Sequence, residues 1–363
     1  MRTLLCTLAL VACTKGDGDD DTDAGTDTDT DTTPDTDTDV GCPDPFSVIG
    51  DGTNLPPTAF LSIWMSGDDD VFIAGADDGT GPAVLHYDGT AWSRLDTGTS
   101  DDLWWVWSAP GSDLVWFSGA GGRVLTYTRS TDTWSQEVVA DNQYKLFGIW
   151  GTSDTDIWAV GGDILGNLDG IILHYDGISW TLSTYATAPV VGHKQAFKVW
   201  GAAADDVWVV GTLALLMHWD GAAWETLPEP VYPTSTLTTV HGSSADWVVA
   251  VGGPGNARAA TFDGTTWLDV TPQPAAGGPI VANMNGVYAP ENGSAVLCGD
   301  NGSIWWLDGT AWSAEECAPD TGWHYHACWV DETGAVWAVG GDLTNRTEGL
   351  ITYGGDAVPT IAL

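Results

Sequence analysis

GIWGTSDTDIWAVGG, residues 148–162, sets two tryptophans eight residues apart around a short acidic turn and closes on a glycine pair. The aromatic that Trp150 represents recurs at Trp64, Trp107, Trp200, His241, Tyr288 and Trp329. The glycine that Gly161 represents recurs at Gly75, Gly119, Gly211, Gly252, Gly299 and Gly340. From aromatic to glycine the step is eleven residues in six repeats and twelve in the second, which is the mark of a fixed hairpin repeated along the chain. A second signature follows the glycine: HYDGTAW (86–92), HYDGISW (174–180), HWDGAAW (218–224), TFDGTTW (261–267) and WLDGTAW (306–312), with a longer form ending at Trp134 in the second repeat. An Asp-Gly pair between alternating hydrophobic segments predicts a two-residue type I′ hairpin, because both central positions need positive φ. Each unit therefore reads as four strands, a to d. The predicted register sets His86 opposite Ala91 and Leu85 opposite Trp92, which makes the repeated Trp a packing wedge between sheets. The equivalent His86, His174 and His218 then read as structural residues.

Seven such units predict an all-β fold, a seven-bladed β-propeller of four-stranded antiparallel blades, in preference to an open solenoid. The seventh unit runs from Trp329 to Tyr353 and lacks the Asp-Gly-x-x-Trp ending. PFSVIG (45–50) is expected to supply its missing strand d and so close the ring, with AVPTIAL (357–363) as the competing source. The unusual usage of 22 Trp and 46 Gly fits aromatic-rich strands joined by tight turns.

Ahead of this region the chain is of another kind. MRTLLCTLALVAC carries one positive charge and an apolar run too short to span a bilayer, so residues 1–12 read as an export signal. Leu10, Val11, Ala12 and Cys13 resemble a bacterial lipobox, which implies that Cys13 becomes the lipid-modified first residue of the mature protein. Residues 13–41 continue as an Asp/Thr-rich stalk with almost nothing apolar to bury, and 42–363 as the propeller. The expected location is the bacterial cell envelope, at the outer membrane or cell surface, touching membrane through the lipid alone. A formal net charge of −40 excludes nucleic acid, which needs clustered Lys and Arg. Cys42, Cys298, Cys317 and Cys328 permit two disulfides in an exported protein, with three connectivities open, Cys317 to Cys328 among them.

The AVGG glycine pair followed by a Tyr and then a Trp resembles the kelch repeats of the galactose-oxidase class, most closely in repeat two, where Tyr127 and Trp134 are seven apart. The D-G-x-x-W turn is also similar to the Asp-box of bacterial neuraminidase (BNR) repeats, with one residue fewer between Asp and Gly. The resemblance covers 46–363 and implies the propeller. It does not imply an activity, since such families include enzymes, lectins and scaffolds.

Turns a–b and c–d share one face and are nearly constant in length. Loops b–c and d–a share the other and vary, so recognition is expected on the variable face. Loops 162–170 and 183–195 belong to that face, and the candidate ligand-binding residues are Arg123, Arg258 and Arg346 on its loops in blades two, five and seven, with His193. His324 and His326 of WHYHACW, two apart on a strand, are predicted to share a face as a metal-binding pair. The turn acids Asp68, Asp154, Asp156, Asp205 and Asp206 read as caps of local backbone donors, allowing at most weak binding of a divalent cation. No cofactor motif and no catalytic constellation stands out. The function expected is a non-enzymatic binding or scaffold module for a glycan or an envelope or extracellular protein. The alternative is a glycoside hydrolase or lyase working at the central channel.

Overall fold

A computed structural model describes residues 46–363 apart from 164–168, 184–193, 214, 229–234, 254, 273–281, 316 and 356–358. Cys42–Leu363 forms one compact unit of seven four-stranded sheets, every pairing antiparallel, and no α-helix occurs among the described residues. Blade one shows the plan: strand a is Phe60–Gly67, b is Asp70–Asp77, c is Pro82–Tyr87 and d is Trp92–Leu95. Blades two to six repeat that order. Blade seven takes its first three strands from His324–Val330, Val336–Gly341 and Gly349–Gly354. Its outermost strand is Phe46–Gly50, paired Phe46 to Gly354 and Val48 to Thr352. The amino-terminal segment thus closes the ring. Of the competing carboxy-terminal segment, the described residues 359–363 form no strand, and Ile361 is buried in the same cluster as Leu55.

The core is a set of aromatic contacts between successive blades. The strand-d tryptophan of one blade packs on the strand-b aromatic of the blade before it: Trp224 on Trp158 at 5.3 Å between ring centroids, Trp267 on Trp208 at 5.2 Å, and Trp92 on Trp337 at 6.2 Å. Trp158 and Trp208 are among the largest fully buried side chains. The wedge role predicted for Trp is what the packing shows.

The hairpin register differs from the prediction. Tyr87 pairs with Trp92 and His86 with Ser93, so the c–d loop spans Asp88 to Ala91. The cause is the aspartate side chain, whose Oδ1 accepts the amides of Thr90 and Ala91 at 2.9 Å each while Gly89 takes φ +83°. That Asx bonding satisfies two backbone donors and widens the turn. The same pairing recurs as Tyr175 with Trp180, Trp219 with Trp224 and Phe262 with Trp267.

The repeated histidines are structural, with definite partners. His86 stacks on Phe72 at 4.1 Å and donates from Nε2 to Asp70 Oδ1 at 2.8 Å. His174 stacks on Trp158 and bonds Asp156, and His218 stacks on Trp208 and bonds Asp206. Asp156 and Asp206 therefore anchor imidazoles in addition to standing beside turns. Burial would raise the Asp70 carboxyl, but hydrogen bonds from His86 and Ser66 and the charge of Arg129 outweigh it and hold the carboxyl near about 2. A depressed carboxylate stabilises the fold above its unfolded pKa and loses that contribution as pH falls through the folded value. The wild type is therefore expected to lose up to about 2 kcal/mol more than Asp70→Asn between roughly pH 4 and pH 2. Urea denaturation of both at several acid pH values checks this; parallel pH profiles would reject it.

The cysteine expectation is corrected in one part. Cys317 is disulfide-bonded, while Cys298 and Cys328 are both free. A Cys317–Cys328 bridge is therefore excluded: Cys328 is turned into the core between blades six and seven, hydrogen-bonded with Cys298 and 3.5 Å from Val296 O. Burial pushes the Cys298 thiol up. Cys13 and Cys42 lie outside the described residues.

Candidate functional site: the channel mouth

In every blade, strand a carries a β-bulge at the same place. Its pairing with strand b slips across Leu61, Trp104, Phe147, Phe197, Thr238, Asn285 and His326. Each of these lies three residues before the inner aromatic of its repeat. The residue before each bulge pairs with the repeated glycine, as Phe60 with Gly75 and Ala196 with Gly211. A Cβ on Gly211 would lie 1.8 Å from Gln195 O, and one on Gly340 would lie 1.9 Å from His324 O. The curled strand occupies the space of the missing side chain, which is why glycine recurs there.

A bulge re-aims the side chain it carries. Six of the seven bulge residues, all but Leu61, line one cavity of about 460 Å³ at the channel mouth, with Gln195, Lys198, Thr212 and Arg346. Its wall is aromatic on one side: Trp104 meets Phe147 edge to face at 5.1 Å, Phe147 meets Phe197 likewise at 5.3 Å, and His326 adjoins Trp104 at 6.3 Å. Thr212, Thr238, Asn285 and Gln195 make the other side polar. Lys198 forms the floor, only 4% exposed, with Nζ donating to Phe147 O at 2.7 Å and lying 3.7 Å from the centre of the Trp105 ring. Burial drives its amine well below the usual lysine range. His326 donates from Nδ1 to Leu61 O at 2.5 Å, and burial, aided by the nearby Lys198 charge, lowers its pKa to about 3. It is a neutral imidazole at any physiological pH.

Below Lys198 the channel narrows. The inner aromatics converge there, with Tyr288 4.3 Å from Trp329, His241 4.7 Å from Tyr288 and Trp200 5.7 Å from His241. They leave a chamber of about 110 Å³ that shares Lys198 with the cavity above. Room for a ligand is therefore on the side of the b–c and d–a loops, the face predicted from loop variability.

No family model and no curated protein matches the sequence. Solved structures do match in fold. The WD40 β-propeller domain of Doa1 aligns with a TM-score of 0.64 at 8% identity, over 85% of this chain and 96% of that one. YCF48 bound to a D1 peptide aligns at 0.61 and 13%, over 86% and 97%. The extracellular domain of the hybrid two-component system BT3049 from B. thetaiotaomicron aligns at 0.63 and 12%, over 87% of this chain and 42% of that one. The chain is a seven-bladed β-propeller. At these identities the likeness establishes the fold and nothing finer.

The predicted site residues fare unequally. Arg346 lines the cavity, its Cζ 5.2 Å from the Trp104 ring centre and its Nη1 bonded to Asp102. Arg123 pairs with Asp101 and Arg258 donates to Ala257 O; neither lines the cavity. His193 lies outside the described residues. His324 and His326 are not brought together as a ligand pair. The bulge at His326 breaks the alternation between them, so His324 turns to Asp300 and Asn301 of blade six while His326 turns to Leu61 of blade one. Among the described residues no group of three or more His, Cys, Asp or Glu is placed to hold a metal ion.

Sequence reasoning missed Lys198 and the bulge residues other than His326, which it singled out for a different role. A usable signal was present in the repeated glycine, because a glycine opposite a strand start marks a close backbone approach. Counting three back from each inner aromatic would then have found the ring.

Proposed function

We propose that this protein is a non-enzymatic recognition module that takes its ligand into the channel mouth on the variable-loop face. The observation that carries this reading is the convergence of six bulge side chains on one cavity of about 460 Å³. That size and its mixed aromatic and polar lining suit a ligand pocket. Repetition of the bulge in every blade gives the rim a rigid frame on which side chains differ freely. The glycoside hydrolase or lyase alternative calls for two carboxylates flanking the bond to be broken. No Asp or Glu lines the cavity among the described residues, and Asp102 beside it is engaged by Arg346. The lipobox-like Cys13 and the acidic stalk support display on the cell envelope, where a partner would be an extracellular or envelope protein or a glycan. Among proteins of this fold, YCF48 is bound to a peptide and the BT3049 domain is extracellular.

The test is a paired screen of glycans and envelope proteins with the full chain and with Phe197→Arg, which fills the cavity. Ligands held by the wild type and weakened at least about tenfold by the variant, at equal melting temperature, support the reading. A ligand that binds both equally moves the site off the channel, and turnover of any glycan by the wild type favours the enzyme.

A further inference from the structure

The channel mouth gathers cations in a protein whose formal charge is −40. Of ten Lys and Arg residues in the chain, three stand against two adjacent indoles. Lys145 Nζ and Arg346 Cζ lie 5.6 Å and 5.2 Å from the Trp104 ring centre, and Lys198 Nζ lies 3.7 Å from that of Trp105. The carboxylates near them are unevenly shared. Asp102 accepts from Arg346 and lies 4.0 Å from Lys145. Lys198 makes no ion pair among the described residues; its one hydrogen-bond acceptor is a backbone carbonyl. His326, neutral and committed through Nδ1 to Leu61 O, offers it no counter-charge.

A buried ammonium without a counter-ion is costly, and an apolar side chain would fill the same space without that cost. The equivalent position holds an uncharged residue in every other blade, such as Ser62, Gly148, Thr239 and Ala327. What Lys198 adds is a cationic anchor at the bottom of a half-aromatic cavity whose other charged lining residue, Arg346, is bonded to Asp102. The strong negative field of the rest of the protein would repel an anion everywhere else. A dry aromatic wall strengthens a charge-assisted hydrogen bond formed there.

We propose that the channel mouth binds a carboxylate borne on a compact apolar or aromatic body. The carboxylate sits on Lys198 Nζ and the body packs against the Trp104, Phe147 and Phe197 wall. The assignment rests on the reading of the mouth as the ligand site. It carries a proton signature: burial weakens the amine's hold on its proton in the free protein, and an arriving carboxylate strengthens it. Arg346, which also lines the mouth, and Lys145, beside Trp104, oppose that protonation, and Asp102 partly offsets them. Binding therefore takes up as much as about one proton per ligand, and affinity falls roughly tenfold per pH unit above the pKa of the free amine.

Titration calorimetry of the full chain with 3-phenylpropionate and with its neutral amide tests this, at about pH 6 and about pH 8 and in buffers of different ionisation heat. The acid is expected to bind at least about tenfold tighter than the amide, with proton uptake at the higher pH. Lys198→Met, melting as the wild type does, is expected to erase that preference and the uptake. Equal binding of acid and amide, or acid binding without proton uptake, overturns the assignment; the wild-type uptake decides the matter even should Lys198→Met fail to fold. Glucuronate and N-acetylphenylalanine run beside it separate the sources of the carboxylate, an acidic sugar or a peptide end. If no carboxylate probe binds, the assignment falls, while the mouth remains the ligand site so long as ligands from the screen are lost on Phe197→Arg.

Discussion

Deleting Phe46–Gly50 is expected to leave a chain that does not hold the native ring. The strand carries the last pairings of blade seven, Phe46 with Gly354 through Gly50 with Ile351, and joins segments some 300 residues apart in sequence. Without it the Gly349–Gly354 strand becomes an open edge, with its unpaired amides and carbonyls ready to pair with another molecule. About 1 kcal/mol for each of several lost hydrogen bonds, with about 2 kcal/mol for the buried Ile49, approaches the whole stability of an ordinary domain. Circular dichroism and size-exclusion chromatography should show a collapsed melting transition and aggregation. Adding a synthetic peptide of residues 45–50 in excess should partly restore the transition by mass action. Removing residues 361–363 instead should be milder, costing roughly the 1.5–3 kcal/mol of burying Ile361. Equal effects of the two deletions would reject the assignment of ring closure to the amino-terminal strand.

Trp208→Ala is expected to be the most damaging single substitution among the blade contacts, at about 3–5 kcal/mol. The indole is 1% exposed and touches three rings: His218 stacked at 4.1 Å, Phe262 at 4.9 Å and Trp267 edge-on at 5.2 Å. Two of these belong to the next blade, so the cavity left behind lies between sheets that cannot close over it without shifting the ring. Trp134→Ala makes the comparison, because that side chain is only half-buried and the rings it meets, Phe117 and Tyr127, lie in its own blade. Chemical denaturation of both variants should separate them by about 2 kcal/mol or more, and a smaller loss for Trp208→Ala than for Trp134→Ala would refute the inter-blade account.

Such contacts were legible in part. The spacing of Trp150 and Gly161 and its six relatives marks hairpins because strand geometry is local and side-chain alternation is fixed by the pleat. The absent strand d of the seventh unit pointed to PFSVIG for the same reason. The turn register was not legible. HYDGTAW carries the signal of a two-residue hairpin, but the Asp88 carboxylate competes for the backbone amides and widens the turn. His324 and His326 looked alike in alternation until the bulge between Tyr325 and Ala327 turned them to different blades.

The binding site shows the same limit more sharply. Arg346 was recognisable as a cation on a variable loop. Lys198 was not, since nothing in AFKVWG distinguishes a lysine buried at the channel axis from one on the surface. Trp104, Phe147, Phe197, Thr238, Asn285 and His326 mix aromatic and polar side chains and form no motif.

By itself, then, the sequence determined the number of blades, the use of tryptophan between them and the strand that completes the circle, because each follows from periodic patterns within a few dozen residues. Only the tertiary structure decided what the circle encloses. Side chains from seven separate repeats meet at one axis, and their approach depends on the bulge within each repeat and on the ring's closure, which no single repeat contains.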